Sequence, residues 1–264
     1  MNTYNGVYYG ETKNSKMEGN GILFLTKGTN CKIEGTWENG YIEHGTITYS
    51  DNKIYKGEIK ELLPNGKGEL VDSDGTYTGM FVNGKKEGKG LMQYSGVTDK
   101  NNLVKTYDGN WKNDSYNGEG SLVYKNGDIY EGTFVNGKRD GNGEYTYFNN
   151  KDILRYEGQW ENDLKNGKGK FIFNDMTIFE GNWINDEYEN YGKMIYNNGE
   201  VYEGKLLNFI PNGKGKKLYP DHSKFEGTFD KGKREGVGTF YYPNGGYYQG
   251  TWTDDKYNST CLIF

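Results

Sequence analysis

The sequence predicts an all-β protein, an elongated single-layer antiparallel β-meander of about eleven hairpin repeats that forms a twisted, gutter-shaped sheet. The composition supports this, because 41 Gly, 25 Tyr and 12 Phe with no Ala disfavour helices and favour strands and turns. A pattern of aromatic residues and glycines recurs about every 23 residues, which indicates a repeat array rather than a globule. Asn-Gly pairs fall inside this pattern, and they are the strongest short signal for a hairpin turn.

Residues 130–147 show one repeat unit in full. On the first strand Tyr130, Gly132 and Phe134 are two residues apart, so they share one face. Asn136-Gly137 makes the turn. The second strand carries Gly141, Gly143, Tyr145 and Tyr147, again on one face. Each unit is therefore predicted to be a hairpin with one face of rings and glycines and one mostly polar face.

Eleven units cover residues 1–264 as a single array, each anchored by the glycine that follows its first aromatic or aliphatic residue: Gly10, Gly35, Gly57, Gly79, Gly109, Gly132, Gly158, Gly181, Gly204, Gly227 and Gly250. Three units depart from the pattern, because His44, Asn190, Ser259 and Cys261 stand where a closing glycine is expected. A longer connection, residues 95–106, precedes the fifth unit.

Second turns of similar chemistry join the units, among them Asp74-Gly75, Asn126-Gly127, Asn198-Gly199 and Asn244-Gly245. Turns at both ends of every strand, with no crossover helix, predict antiparallel pairing throughout. We expect the Trp or Phe of a first strand to fold flat over a glycine of a neighbouring strand, where a Cβ would block it.

The pattern Tyr-x-Gly-x-Trp/Phe, then Gly, then Gly-x-Gly resembles the MORN repeat family (membrane occupation and recognition nexus), from Tyr8 to about Tyr257. The resemblance implies a repeat that binds partners without chemistry of its own. It also implies cytoskeletal or ciliary assemblies or membrane junctions as settings and the capacity to form homodimers. A cytoplasmic location is expected separately, because residues 1–10 lack a charged-then-apolar signal sequence and the sequence has no run of about 18 apolar residues. The exposed last strand offers an edge for such pairing.

Enzyme, cofactor and nucleic-acid functions are not expected. The net charge of −5 gives no general attraction for nucleic acid. Basic residues such as Lys85-Lys86, Lys138-Arg139 and residues 231–234 are interpreted as solvated charge at turns. His44 and His222 fall in distant units and cannot share a metal, so no metal or cofactor is predicted. The Gly-x-Gly pairs lack the helix and the ending of a phosphate-binding loop.

A row of partly exposed rings along one face is predicted to form a groove that holds a helix or an extended segment of a partner protein. The alternative for any one ring is that it only packs on its neighbours. The candidate lining is Tyr77, Phe81, Tyr107, Trp111, Tyr130, Phe134, Tyr156, Trp160, Phe179, Trp183, Tyr202, Phe225, Phe229, Tyr248 and Trp252.

The function predicted first is therefore a non-enzymatic, protein-binding scaffold. A second hypothesis is a membrane-apposed adaptor, tethered either by lipid contact with the turn lysines or through Cys261, since residues 261–264 have the form of a prenylation signal. Against it, Cys261 also fits as the replacement of a closing glycine in the last strand, and no polybasic stretch precedes it. A third hypothesis is a regulatory subunit of an enzyme.

Overall fold

Two-residue turns determine the eleven hairpins. A computed structural model describes residues 5–26, 31–96 and 103–258. In every hairpin turn of this part of the chain both central residues have positive φ, as at Asn83-Gly84 (49° and 82°) and Asn113-Asp114 (49° and 68°). This backbone geometry matches the right-handed twist of the flanking strands. Asn, Asp and Gly tolerate it best, which explains their frequency at these positions.

The chain contacts divide into two compact parts, Met1–Lys138 and Arg139–Phe264. They are called the first and the second unit from here on, and a single hairpin is called a repeat. The first unit contains β1 Gly6–Lys13, β2 Lys16–Leu25, β3 Lys32–Glu38, β4 Tyr41–Thr48, β5 Ile54–Lys60, β6 Leu63–Val71, β7 Gly75–Val82, β8 Lys85–Tyr94, β9 Val104–Lys112, β10 Ser115–Tyr124 and β11 Ile129–Val135.

The second unit contains β12 Lys138–Thr146, which begins at the division, β13 Ile153–Glu161, β14 Leu164–Phe173, β15 Ile178–Ile184, β16 Glu187–Ile195, β17 Val201–Leu207, β18 Ile210–Leu218, β19 Lys224–Asp230, β20 Lys233–Tyr241, β21 Tyr247–Thr253 and β22 Lys256–Asn258.

Strands pair antiparallel with their neighbours in sequence, from β1 to β11 in the first unit and from β12 to β22 in the second. The predicted all-β, antiparallel hairpin meander is confirmed. No described residue belongs to a helix. Accordingly, the described residues include no helix of a length and apolarity that could cross a membrane.

A β-bulge shapes most hairpins. In the seventh repeat, formed by β13 and β14, Gly158 lies opposite Gly169, but Trp160 lies opposite Lys165. The second strand therefore carries two extra residues between these pairs. The polar side chain of Gln159 fills the bulge, and its Oε1 accepts a hydrogen bond from the Lys168 amide at 2.8 Å. Glu58 makes the same bond to the Lys67 amide at 3.0 Å. The first glycine of Gly-x-Gly is required here, because Gly66 and Gly167 have φ of 103° and 91°.

Six of the described joining loops share one geometry: those that begin at Tyr49, Tyr124, Phe173, Tyr196, Tyr219 and Tyr242. Tyr196 illustrates it: its amide donates to the Glu200 carbonyl at 2.9 Å, and its carbonyl accepts from the Gly199 amide at 3.0 Å. Only the residue before the loop end has positive φ, 86° at Gly199. Asn198 Oδ1 accepts from the Glu200 amide at 3.0 Å and completes the turn. These bonds hold the residue at the start of each loop in a fixed place.

Candidate binding face

In most repeats the aromatic ring that begins the repeat lies flat on glycine. A Cβ built on Gly169 would lie 2.4 Å from the Tyr156 hydroxyl, and one on Gly158 would meet the same ring at the same distance. The sequence predicts the Trp or Phe of the first strand in this position, and that prediction is wrong. The residue two positions before the glycine covers it, because its side chain runs along its own strand.

A repeated hydrogen bond fixes these rings. Six tyrosines donate their hydroxyl to the carbonyl three residues onward, at 2.6–3.1 Å: Tyr55, Tyr77, Tyr107, Tyr130, Tyr156 and Tyr202. Burial raises the pKa of Tyr55 and Tyr77 to about 12, and it raises the pKa of Tyr107, Tyr156 and Tyr202 as well. These hydroxyls therefore stay protonated donors near neutral pH.

The Trp or Phe on the first strand of a repeat lies opposite a glycine of the preceding repeat, as Trp111 does with Gly88 and Phe81 with Gly66. The indole N–H of Trp111 donates to the Gly90 carbonyl at 3.0 Å. Its ring meets Tyr107 edge to face, with the ring centroids 5.2 Å apart. Such edge-to-face pairs recur along both units and are each worth about 0.5–1.5 kcal/mol beyond simple burial.

A second layer of side chains covers these rings. The second residue of each even-numbered strand from β2 to β20 is buried or half-buried on the aromatic face, and we call these the lid residues: Met17, Ile42, Pro64, Lys86, Tyr116, Arg139, Lys165, Tyr188, Pro211 and Arg234. Six of them contact rings of their own and of the next repeat: Lys86, Tyr116, Arg139, Lys165, Tyr188 and Arg234. The Lys165 ammonium lies within about 6 Å of the Trp160 and Trp183 ring centroids. The Arg234 guanidinium lies 4.1 Å from that of Trp252. Their alkyl stems cover apolar surface while the charge contacts the ring face.

The prediction of solvated turn charge is therefore wrong for Lys86, Arg139 and Arg234. Arg139 and Arg234 keep only 18% and 20% of their side chains exposed. Burial lowers the pKa of Lys86, whose ammonium lies 5.0 Å from the Trp111 ring centroid. Alternation along the strand places these residues on the aromatic face, one residue after a lysine that points the other way.

The lid layer changes the predicted groove. Of its fifteen candidate residues, fourteen are buried, with exposed fractions of 0–4%. The exception is Tyr248, which is half-exposed, because Tyr257 occupies the space over Gly250 that Tyr248 would otherwise take. The expectation of partly exposed rings at the fourteen buried positions is wrong. A partner could reach them only through the residues that cover them.

The aromatic face instead exposes a row that the sequence analysis did not propose. Each of these residues lies at or directly after the end of an even-numbered strand, and all but Tyr242, which is exposed, are half-exposed. We call them the rim aromatics: Tyr49, Tyr94 and Tyr124 in the first unit, and Tyr147, Phe173, Tyr196, Tyr219 and Tyr242 in the second. The sequence does contain a signal for the rim aromatics. They recur at the repeat period, each two residues after another residue of the aromatic face.

Contacts with core and lid residues hold the rim aromatics. In the first unit the hydroxyls of Tyr94 and Tyr116 are hydrogen-bonded, and the Tyr116 ring stacks on Tyr107 at 3.8 Å between centroids. In the second unit Lys217 lies 5.7 Å from the Tyr196 ring centroid and is paired with Glu200 at 2.9 Å. Burial raises the pKa of Tyr196 to about 12, so this phenol stays neutral near neutral pH and keeps its hydroxyl proton for donation.

The opposite face is polar, with alternating charges in register across the second unit. Glu157, Lys170, Glu180, Lys193 and Glu203 are successive cross-strand neighbours. The Lys170 ammonium lies 2.7 Å from Glu157, and that of Lys193 lies 3.5 Å from Glu180. These same side chains line an open cavity of about 600 Å³. The two lysines compensate two of the three glutamates, so this row carries little net charge to attract a charged partner.

The remaining predicted site features have different outcomes. Cys261 lies outside the described residues. His44 is in the first unit and His222 in the second. Among the described residues, no group of three or more His, Cys, Asp or Glu side chains could hold a metal ion.

A comparison with protein families finds one matching model, described as MORN repeat, over more than half of the chain: residues 55–76, 77–96, 107–129, 130–151, 156–175, 179–201, 202–224, 225–247 and 248–259. The matched segments begin at residue 55. The structure places two further hairpins before that point, β1–β2 and β3–β4, with the same turn geometry.

Curated relatives match a shorter part of the chain. Alsin of Mus musculus and Alsin of Homo sapiens are both 34% identical to it over 100 residues, which are 36% of this chain and 6% of each relative. The chain thus spans only a small fraction of the length of these relatives. Among solved structures, the SAS-4 (dCPAP) TCP domain of Drosophila melanogaster, in complex with a proline-rich motif of Ana2, shows 14% identity and a TM-score of 0.40. The match covers 74% of this chain and 99% of that one.

Proposed function

Because the chain belongs to the MORN repeat family, we propose that it is a non-enzymatic scaffold whose aromatic face binds a helix or an extended segment of a partner protein. The family is a repeat scaffold, and repeats of this kind suggest protein or membrane binding. A cytoplasmic setting in a cytoskeletal, ciliary or membrane-junction assembly, and the capacity for homodimers, are part of the proposal and rest on the family alone.

The observation that carries the proposal is the half-exposed row of rim aromatics on a rigid support. Tyrosines with buried bodies and accessible hydroxyls are typical of binding hot spots, since they combine apolar area with a hydrogen bond. The loop bonds fix Phe173 and Tyr196 at their backbone, so little conformational entropy is lost when they are contacted. Among the described residues, the large hydrophobic side chains that the polar face exposes in the second unit are mainly aliphatic, such as Ile184 and Leu207, beside Tyr191.

The test compares two sets of surface variants in affinity capture from the native cell type. Tyr147→Ser, Phe173→Ser and Tyr196→Ser together remove rim aromatics of the second unit. Tyr191→Ser is the matched control, since Tyr191 is 55% exposed on the polar face. We expect the first set to lose specific partners and the control to retain them. Partners that survive the first set but not the control would place binding on the polar face and refute the proposal. Thermal melts must show that both variants are folded.

Tryptophan variants would not test this function. Trp111, Trp160 and Trp183 are 4%, 4% and 2% exposed, so their removal opens cavities in the core. A lost partner would then report unfolding, whereas the half-exposed rim residues separate binding from stability.

A further inference from the structure

The aromatic face of the second unit contains a cavity of about 410 Å³ beside the rim. Buried Met194 and Thr177 line it, together with the half-exposed rings of Phe173, Tyr196 and Phe209. Its polar lining comes from the loops that precede β13 and β15: Lys151, Asp152, Asn174 and Asp175. The cavity is therefore apolar at the base and polar at the mouth, as sockets for a single side chain are.

Phe209 forms one wall of this cavity from an unusual position. It is the second residue of a hairpin turn and has a φ of 61°, in the left-handed region that is unfavourable for a bulky side chain. The other hairpins of the second unit place Asp or Gly there, as at Asp186 and Gly232. The turn itself gains nothing from a phenylalanine.

The contacts of Phe209 are all on the aromatic face. Its ring stacks on Tyr188 with the centroids 4.4 Å apart, meets Phe179 at 5.1 Å and reaches the rim aromatic Phe173 at 5.5 Å. The neighbouring first-strand position holds Leu206 rather than Trp or Phe. The unfavourable turn residue therefore supplies an aromatic wall between the lid residues and the rim.

The mouth of the cavity carries excess negative charge. Asp152 and Asp175 are exposed, and neither forms an ion pair with a described residue. The Thr177 amide donates to Asp175 Oδ1 at 2.9 Å and holds that carboxylate in place. Lys151 is the one cation lining this cavity. The side chains thus favour a ligand with positive charge next to an apolar group.

We propose that this cavity is the docking site for a basic segment of a partner protein. The segment inserts one aromatic or large aliphatic side chain between Phe173, Tyr196 and Phe209. An adjacent Arg or Lys meets Asp152 and Asp175 and lies against the Tyr196 ring face. This deepens the proposed scaffold function, on which it rests, by naming the chemistry of the partner.

The experiment selects short random peptides displayed on phage against the full chain and measures the binders by fluorescence anisotropy. We expect the selected peptides to place Arg or Lys beside a bulky apolar residue. Phe209→Gly removes the wall while easing the turn, and it should weaken binding on the order of 10- to 30-fold. Asp152→Asn with Asp175→Asn should weaken it roughly three- to tenfold at low salt, and less at high salt.

The variants are matched to the fold. Asn already occupies the position of Asp175 in other loops, at Asn126, Asn198 and Asn244. Tyr191→Ser on the polar face is the control and should leave binding unchanged.

Each other outcome has a distinct meaning. Peptides that are acidic or neutral, or that ignore the aspartate variant, would overturn the basic-segment proposal. If these peptides still need Phe173 and Tyr196, the scaffold function stands. Peptides that ignore both rim residues would overturn the docking site and the proposed function together. A selection that yields no binders at all would overturn the docking site alone.

Discussion

Replacing Gly169 by alanine tests how the core of a single sheet is built. Gly169 lies in β14, opposite Gly158 on one side and Gly181 on the other. Its φ lies outside the left-handed region, so alanine brings no backbone strain. The added Cβ would lie 2.4 Å from the Tyr156 hydroxyl and 2.6 Å from two of its ring carbons. The ring, which is fully buried, has to move.

The magnitude follows from what Tyr156 would lose. Overpacking of a core costs about 1–3 kcal/mol. The hydrogen bond from the hydroxyl to the Gln159 carbonyl, 3.1 Å long, contributes about 1 kcal/mol. The ring pairs with Trp160 and Trp183, both at 5.3 Å between centroids, would loosen at about 0.5 kcal/mol or more each. We expect Gly169→Ala to lower the free energy of unfolding by about 3–5 kcal/mol, against a typical total of about 5–15.

Urea unfolding followed by tryptophan fluorescence measures this loss, and a double-mutant cycle assigns it to the ring. On a Tyr156→Ala background the same Gly169→Ala change should cost almost nothing, since the ring is gone. Gly246→Ala is the control, because its Cβ would have only Asn244 Oδ1 at 3.3 Å and Tyr242 at 3.7 Å as close neighbours. Equal losses on both backgrounds would show that the ring does not lie on the glycine, and the account of the core would be wrong.

Three further predictions concern a turn carboxylate, a buried tyrosine and a charge on the polar face. Asp186→Ala should lower the free energy of unfolding by about 1–2 kcal/mol, since the Asp186 carboxylate accepts a hydrogen bond from the Lys165 amide at 2.9 Å and pairs with the Lys165 ammonium at 3.2 Å. Asp186→Gly should cost less, because glycine tolerates the φ of 70° at this position. Urea unfolding of the two variants compares these losses. The contribution of Tyr55 to stability should be constant up to about pH 10 and be lost as the pH rises further, because burial raises the pKa of Tyr55 to about 12 and favours its neutral form in the folded state. Unfolding curves at several pH values check this, and a Tyr55→Phe variant should fall less steeply. Glu180→Lys should cost at most about 1 kcal/mol on this exposed face, where Glu180 lies between Lys170 and Lys193. Adding Lys193→Glu should restore only part of the loss in a thermal melt, because the new carboxylate would lie opposite Glu203.

The hairpins could be predicted from the sequence because each depends on local chemistry. Asn136-Gly137 determines a turn whatever surrounds it, and residues two apart share a face by strand geometry alone. Family resemblance then agreed with the period. None of these inferences required knowledge of which side chains meet across repeats.

Burial of the rings was not predicted from the sequence because it depends on contacts between neighbouring repeats. Lys86 and Arg139 look like surface residues in a window of a few positions, since each follows a lysine directly after a turn. Their cover over Trp111 and Trp160 appears only when the next repeat is placed beside them. A long amphipathic side chain can be charge at a surface or cover for a ring, and only its neighbours decide which.

The contacts between neighbouring repeats follow a rule that links the identities of three residues. These are the lid residue of one repeat, the Trp or Phe on the first strand of the next repeat, and the second residue of the hairpin turn in that next repeat. A cationic lid residue accompanies Trp and Asp, whereas Pro or Tyr usually accompanies Phe and Gly. The sets are Lys86, Trp111 and Asp114; Arg139, Trp160 and Asp163; Lys165, Trp183 and Asp186; Arg234, Trp252 and Asp255; then Pro64, Phe81 and Gly84; Tyr116, Phe134 and Gly137; Pro211, Phe229 and Gly232. The cause is physical, since a cation needs both a ring face and a carboxylate acceptor.

The set of Tyr188, Leu206 and Phe209 breaks this rule. Tyrosine in the lid position should accompany Phe and Gly, yet the ring is replaced by leucine and the glycine by phenylalanine. The aromatic group has moved from the strand, where it would be buried, to the turn, where it is half-exposed beside the cavity. Such a change leaves the turn in an unfavourable conformation and gains an accessible ring. The set of Ile42, Ile59 and Leu62 departs in a similar way, with a φ of 64° at Leu62, but Phe209 brings a ring to the lining of a cavity. A departure whose cost is visible in the backbone is expected where the surface serves recognition rather than stability.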